Sequence, residues 1–196
     1  AELVWPDYGG EQVRNLVTER RIPTTWRERV VEATDWVVLI RLHSLRSEED
    51  LFSRPLQSFT AVATQDERAA FEPSDQARTI ELLQILLYLA QFSLDRPLHK
   101  PRLTILLSCW DELKTTELPP DLLAARLPMF WAFVRSNWSS PSVVGLSALE
   151  KPLSKTDPDT DYAIRGPEEF GYVILPDGER SNDITLPIKR LMAETA

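Results

Sequence analysis

The sequence has 196 residues, of which 43% are hydrophobic and 27% are charged, so it is long enough for one globular domain with a substantial core. Its 30 acidic and 22 basic side chains give a net charge of −8, which argues against nucleic acid or an anionic membrane as the main partner. The longest apolar stretch, residues 82–90, is too short for a membrane span. A single cysteine, Cys109, excludes an intrachain disulfide and favours a reducing, cytoplasmic location.

Strand-like and helix-like apolar segments alternate along the chain, which predicts an α/β fold with a mainly parallel sheet. The first segment, Leu3-Val4-Trp5, is typical of the end of a strand. Because the chain begins with Ala1 inside this run, we expect it to be a fragment of a longer protein. Thr25 and Glu28 have the spacing of a capping box and predict a helix over residues 26–33.

The middle of the chain contains two predicted strands separated by a polar insert and a long helix. Residues 36–42 are almost continuously apolar, as expected for a strand buried on both faces. Residues 44–73 lack periodicity and are interpreted as an insert. A helix is predicted to begin near Ser74 or Asp75, and residues 102–107 form the next buried strand. The apolar stripe of that helix consists of Ile80, Leu83, Leu86, Leu87 and Ala90.

The last part of the chain is predicted to contain two helices, two strands and a second loop-rich insert. These elements are a helix over residues 119–137 bent at Pro128, a strand over 142–146, a polar loop over 151–169, a short strand over 172–175 and a helix from Leu186. Residues 151–182 are interpreted as a loop-rich insert with a short strand. Residues 1–196 therefore form a single predicted domain.

Three polar loops each follow a strand-like run, and they carry the chemistry of the sequence. They are Asp7-Tyr8-Gly9-Gly10-Glu11, Ser108-Cys109-Trp110-Asp111 and Ser147-Ala148-Leu149. In open α/β sheets, ligands bind outside the carboxyl ends of the strands, so three such loops in this order indicate a nucleotide site. These 196 residues contain no G-x-x-x-x-G-K-[ST] phosphate-binding motif.

The first loop has the residue types of a nucleotide-hydrolase switch. Asp7, at a strand end, is suited to hold Mg²⁺ through water, because Mg²⁺ keeps much of its hydration shell. Gly10 lets its backbone N–H approach a γ-phosphate without a Cβ in the way, and Glu11 occupies the position of a water-orienting side chain. The alternative is a tight turn without catalytic meaning.

The other two loops have residues suited to a guanine base. The carboxylate of Asp111 can accept both N1–H and N2–H of guanine, which adenine does not offer. Trp110 or the Cys109 side chain is placed to cover a base face, and Ser147-Ala148-Leu149 can present backbone N–H groups to the base oxygen, with Ser108 in support. The alternatives are a helix N-cap at Asp111 and a plain strand-to-helix turn at residues 147–149.

These residues resemble the second part of a Ras-like GTPase domain of the translation-factor-related class. Asp7 and Gly10 match the D-x-x-G motif, Ser108 and Asp111 match [NT]-K-x-D, and the loop at 147–149 is similar to S-A-K. The chain departs from the family at Ser108 and Cys109, which replace Asn/Thr and Lys, and at Glu11, which replaces Gln. The resemblance implies a three-layer α/β/α sandwich of the P-loop NTPase type without its first strands, with GTP or GDP and Mg²⁺ as ligands.

Two further segments are similar to the bacterial double-GTPase domains of conflict or defence systems: residues 36–41, which end in Arg41, and residues 171–188. This resemblance implies that the chain is the switch and base-recognition half of a regulatory GTPase domain. The domain would belong to a larger protein that has protein partners. A preceding segment would then supply the central strand and phosphate loop, and this chain alone would be inactive. The alternative is a pseudo-GTPase that docks a partner through the insert at 44–73. Arg41 is a candidate for phosphate or partner contact, or for an ion pair.

Overall fold

The computed structural model describes residues 10–45, 74–91, 96–151, 160–166 and 169–193. The predicted strand at residues 3–5 and nearly all of the predicted insert at 44–73 lie outside this part. The helices are α1 (Gly10–Glu19), α2 (Thr24–Glu32), α3 (Asp75–Leu89), α4 (Trp110–Leu113), α5 (Pro119–Arg126), α6 (Pro128–Asn137), α7 (Thr160–Arg165) and α8 (Leu186–Ala193). The strands are β1 (Asp35–Ile40), β2 (Arg102–Ser108), β3 (Ser142–Ser147), β4 (Tyr172–Ile174) and β5 (Arg180–Ser181).

The strands form one sheet in the order β1-β2-β3-β4-β5, so the fold belongs to the α/β class. β1, β2 and β3 run parallel, whereas β4 and β5 pair antiparallel. The expected mainly parallel sheet is therefore only partly parallel. β4 runs antiparallel to β3, and a hairpin then joins β4 to β5, in which Gly178, with φ +90°, takes the left-handed turn conformation.

Both faces of β2 are packed, and its successive side chains point to opposite faces. Leu103, Ile105 and Leu107 of β2 belong to the larger core, to which α3, α5 and α6 contribute. Leu106 belongs to a smaller core on the other face, against which Leu186 of α8 packs. The described helices thus lie on both sides of the sheet. None of the described helices has the length and apolar character that a membrane crossing requires.

The first strand differs from its prediction. β1 ends at Ile40 and is followed by a 3-10 turn, Leu42–Ser44, whose first residue was expected to lie in the strand. Val37 is 37% exposed and Leu39 is 54% exposed, so the expectation that this strand is buried on both faces is wrong. These residues are opposite Thr104 and Leu106 in β2, on the face of the smaller core, where α8 does not cover β1.

Several helix predictions are corrected by the structure. The capping box at Thr25 is wrong, because the N-cap of α2 is Pro23 and Thr25 lies inside the helix. Pro128 separates α5 from α6 instead of bending one helix, since it begins the second helix after the non-helical Leu127. α1 and α7 were not predicted, and α7 interrupts the expected loop at 151–169. The predicted start of α3 is confirmed: the Ser74 side chain accepts a hydrogen bond from the Ala77 N–H at 3.3 Å.

A tight packing contact yields a test of the fold. An added Cβ at Gly145 of β3 would lie 2.6 Å from two ring atoms of Trp110, which is 5% exposed. We predict that Gly145→Ala destabilises the domain by about 1–3 kcal/mol, because a buried indole has little room to move. Urea unfolding measures the loss. A double-mutant cycle with Trp110→Leu provides the control: additive effects of the two changes would contradict the proposed contact.

The beginning of α8 yields a pH prediction. The Lys189 ammonium, which donates to Asp183 Oδ2 at 2.6 Å, and the Thr185 hydroxyl together lower the pKa of Asp183 from 3.8 to about 2. The ionised Asp183 carboxylate therefore contributes fully to the free energy of unfolding above pH 3.8, and this contribution is lost as the pH falls through about 2. Carboxyl ¹³C titration should give a midpoint of about 2 for Asp183, and Lys189→Met should raise it. A midpoint of 3.8 in the unchanged chain would contradict the ion pair.

Candidate functional site

Two of the three predicted loops meet at the carboxyl edge of the sheet. β2 ends at Ser108 and β3 ends at Ser147, and the two strands are parallel neighbours. The Ser147 hydroxyl donates a hydrogen bond to Asp111 Oδ1 at 2.5 Å. This bond joins the loop after β2 to the loop after β3, so the ends of both strands contribute to one site.

Ser147 is the buried anchor of this site. Its side chain is fully buried, and its oxygen also accepts a hydrogen bond from the Glu150 N–H at 2.9 Å. A buried hydroxyl that both donates and accepts has a defined orientation, because leaving either role unfilled would cost free energy. Asp111 is half-buried, and in the described part of the chain its Oδ2 has no hydrogen-bond partner. One carboxylate oxygen is thus fixed by Ser147 while the other remains available.

The turn between β2 and α4 directs Trp110 into the core. Cys109 has φ +54°, a left-handed conformation, and it precedes the first residue of α4. Trp110 is 5% exposed and its ring rests on Gly145 of the neighbouring strand. The ring is therefore engaged in packing, and its burial does not favour the predicted contact of Trp110 with a base. Cys109, which is half-buried, is the remaining candidate to flank a base.

The N-cap alternative for Asp111 is wrong. Cys109 occupies the cap position of α4 and Asp111 is the second helical residue. The Asp111 carboxylate bonds to Ser147 instead of to a backbone N–H at the helix start. The carboxylate therefore faces the loop after β3, a direction that spacing along the sequence alone did not indicate.

An ion pair joins the end of β1 to α4. Arg41 donates to Glu112 through Nη2 at 2.7 Å and through Nε at 3.2 Å, and the hydrogen bond to Glu112 is the main cause that raises the pKa of Arg41. The ion-pair alternative for Arg41 is thus the one that the structure shows. On the same rim, the Ser108 hydroxyl donates to the Ile40 carbonyl at 3.4 Å. Ser108 therefore ties β2 to β1 at the edge of the site.

Three side chains beside Ser147 were not predicted from the sequence. Tyr172 of β4 is opposite Ser147 in the sheet. Arg180 lies over the Tyr172 ring at 3.9 Å from its centroid and pairs with Glu150 at 2.7 Å. Burial raises the pKa of the Tyr172 hydroxyl, and the negative charge of Asp111 adds to the effect. Only the antiparallel pairing of β4 with β3 and β5 brings Tyr172 and Arg180 to the site, and nothing in their spacing indicated it, whereas Glu150 follows Ser147 by three residues.

The remaining predicted site residues lie partly inside and partly outside the described part of the chain. Ala148 is exposed and Leu149 is half-buried, directly after Ser147. Gly10 is the first residue of α1 and Glu11 the second, and the Glu11 side chain is not described. Asp7, the predicted Mg²⁺ ligand, lies outside the described residues. Within the described ranges, no cluster of three or more His, Cys, Asp or Glu residues is suited to a metal ion.

Comparison with known proteins places the chain in a family. No curated protein matches it, and no solved structure does. The family model described as Double-GTPase 1 (DO-GTPase1) matches residues 1–191. This match includes all three loops of the predicted site and covers almost the entire sequence, so the chain belongs to the Double-GTPase 1 family.

Proposed function

We propose that this domain binds guanine nucleotide at the carboxyl edge of the sheet and acts as the switch and base-recognition half of a regulatory GTPase. The proposal depends on one observation above all: a buried Ser147 holds the carboxylate of Asp111 at 2.5 Å at the edge where α/β sheets bind ligands. Membership in the Double-GTPase 1 family supports guanine nucleotide as the ligand.

The chemistry of Asp111 suits a guanine base. Guanine presents N1–H and N2–H side by side, and an ionised carboxylate accepts both. Ser147 occupies one lone pair of Oδ1, which leaves the remaining lone pairs of the carboxylate for the base. Adenine would leave the carboxylate unpaired, a cost of about 1–3 kcal/mol or more for a charged group. Ala148 is exposed and follows Ser147, and its backbone N–H is proposed to contact the base oxygen.

The phosphate end of the nucleotide is proposed to involve the first loop. Asp7 would hold Mg²⁺ through water, the Gly10 backbone N–H would contact the γ-phosphate, and Glu11 would orient the attacking water. The cations of the described rim are already engaged, since Arg41 pairs with Glu112 and Arg180 with Glu150. We therefore propose that a phosphate loop outside the described residues neutralises the phosphates.

The exposed face of β1 also supports a phosphate loop in a separate segment. Val37 and Leu39 present an apolar surface that the described helices leave exposed. A further parallel strand and its following helix would cover this surface, as in other α/β sheets. We propose that the strand, the helix and the phosphate loop between them belong to one segment. The proposed setting is a cytoplasmic protein of a bacterial defence or conflict system with protein partners.

A pseudo-GTPase that binds a protein partner without catalysis is the second candidate. It is favoured by Ser108 and Cys109, which occupy the Asn/Thr and Lys positions of [NT]-K-x-D, and by Leu149 in place of the Lys of S-A-K. The Ser108 hydroxyl donates to the Ile40 carbonyl, so it is engaged with the neighbouring strand β1. Guanine nucleotide bound to the purified full-length protein supports the GTPase, and a folded protein without nucleotide supports the pseudo-GTPase.

The base assignment is tested by Asp111→Asn in the full-length protein. The amide NH₂ opposes the N2–H of guanine but donates to the 2-oxo group of xanthine, so preference should move from guanine to xanthine nucleotides. We expect GTP affinity to fall by a factor of about ten to a hundred. Competition binding of GTP and XTP measures the change, with Asp121→Asn on α5 as the matched control. Equal losses for both nucleotides would contradict the assignment.

Because the proposed phosphate loop lies in a separate segment, we predict that residues 1–196 alone bind GTP weakly. Losing about four charge-assisted bonds to a phosphate loop removes roughly 6–12 kcal/mol, which reduces a nanomolar site to millimolar affinity or weaker. Isothermal titration of this chain with GTP and Mg²⁺ should therefore show little heat of binding. A micromolar or tighter affinity would contradict the proposal that phosphate binding resides elsewhere.

A further inference from the structure

A second cleft lies at the opposite end of the sheet from Asp111. It has a volume of about 330 Å³, within the size range of small-molecule sites. Its walls come from the first residues of β2 and β3, from α8 and from the segments that precede the two strands. Arg102 begins β2 and Ser142 begins β3, so the cleft opens at the amino ends of the parallel strands. It is therefore separate from the proposed nucleotide site.

Three hydroxyl side chains without a hydrogen-bond partner among the described residues line this cleft. Thr104 of β2 is only 5% exposed, yet it lines the cleft, and its hydroxyl has no hydrogen-bond partner in the described part of the chain. Ser140 and Ser142 also line the cleft, and their hydroxyls have no partner among the described residues either. These three hydroxyls line one space and are therefore available to hydrogen-bond a polar ligand there.

The charge of the cleft is positive although the chain as a whole carries −8. The described residues that line it include Arg102, Arg190 and His99 but no aspartate or glutamate. Arg102 is neutralised by Asp35, which accepts from its Nε at 2.5 Å. Arg190, on the exposed side of α8, has no acidic partner in the described part of the chain. Its guanidinium is the uncompensated charge at the mouth of the cleft.

We propose that this cleft is a second ligand site and that it binds a small phosphomonoester. A planar guanidinium and several hydroxyl donors match the oxygens of a tetrahedral dianion. The apolar side chains of Trp138, Val144 and Pro187 line the same space and would contact the organic part of the ligand. The site goes beyond the proposed nucleotide function, since none of its residues belongs to the rim that carries Asp111.

Phenyl phosphate serves as the probe, and backbone amide NMR of the full chain follows its binding. We expect saturable shifts centred on Thr104, Val144 and Arg190, with affinity in the range of about 0.1–1 mM. Arg190→Gln should weaken binding about tenfold or more, because it removes a charged donor. Thr104→Val, which has the same shape without the hydroxyl, should weaken binding about fivefold, and Thr104→Ser should retain it.

Two control variants test whether these effects are specific to the cleft. Arg126→Gln removes the same charge from an exposed position on α5 and should leave the affinity unchanged. Asp111→Asn should also leave it unchanged, which distinguishes failure here from failure of the nucleotide proposal. Absence of saturation up to about 10 mM would overturn the site. An Arg190→Gln effect no larger than that of Arg126→Gln, or tighter binding of benzoate than of phenyl phosphate, would overturn it as well.

Discussion

The hydrogen bond from Ser147 to Asp111 connects the ends of two neighbouring parallel strands, and the geometry of the candidate site depends on it. Its strength comes from burial: Ser147 is shielded from water, so no solvent molecule competes for its hydroxyl. The bond requires α4 to lie close to β3. Gly145 makes this approach possible, because its missing Cβ leaves the space that the Trp110 ring fills. Packing and polar orientation at the site are therefore coupled, since the same approach of α4 to β3 produces both.

The ion pairs around the rim have a smaller role. Arg41 with Glu112 and Arg180 with Glu150 are partly exposed, with half of each arginine side chain open to solvent. Exposed pairs of this kind contribute about 0–1 kcal/mol, and salt weakens them further. Their effect is to hold the guanidinium groups against acidic partners. Neither of these two guanidinium groups is therefore free to neutralise the phosphates of the proposed nucleotide, and the proposal assigns that role to another segment of protein.

The two ends of the sheet differ in chemistry. The carboxyl edge carries Asp111 together with the ion pairs of Arg41 with Glu112 and of Arg180 with Glu150, whereas the cleft at the amino edge is lined by Arg190 and His99 and by no acidic residue among those described. A parallel sheet with its connecting helices separates the two edges, so a ligand at one edge cannot touch a ligand at the other. Any influence of one site on the other would pass through β2 and β3, which carry Thr104 and Ser142 at one end and Ser108 and Ser147 at the other.

Local patterns in the sequence determined the elements that depend on neighbouring residues: the apolar run of β2, the Ser74 cap of α3, and the positions of the loops after β2 and β3. Tertiary structure alone decided what distant segments do to one another. It turned Trp110 into the core, brought Tyr172 beside Ser147 and left Val37 and Leu39 exposed. The physical reason is range: capping and periodicity are set within a few residues, whereas burial and side-chain partners depend on packing between elements that spacing along the chain does not specify.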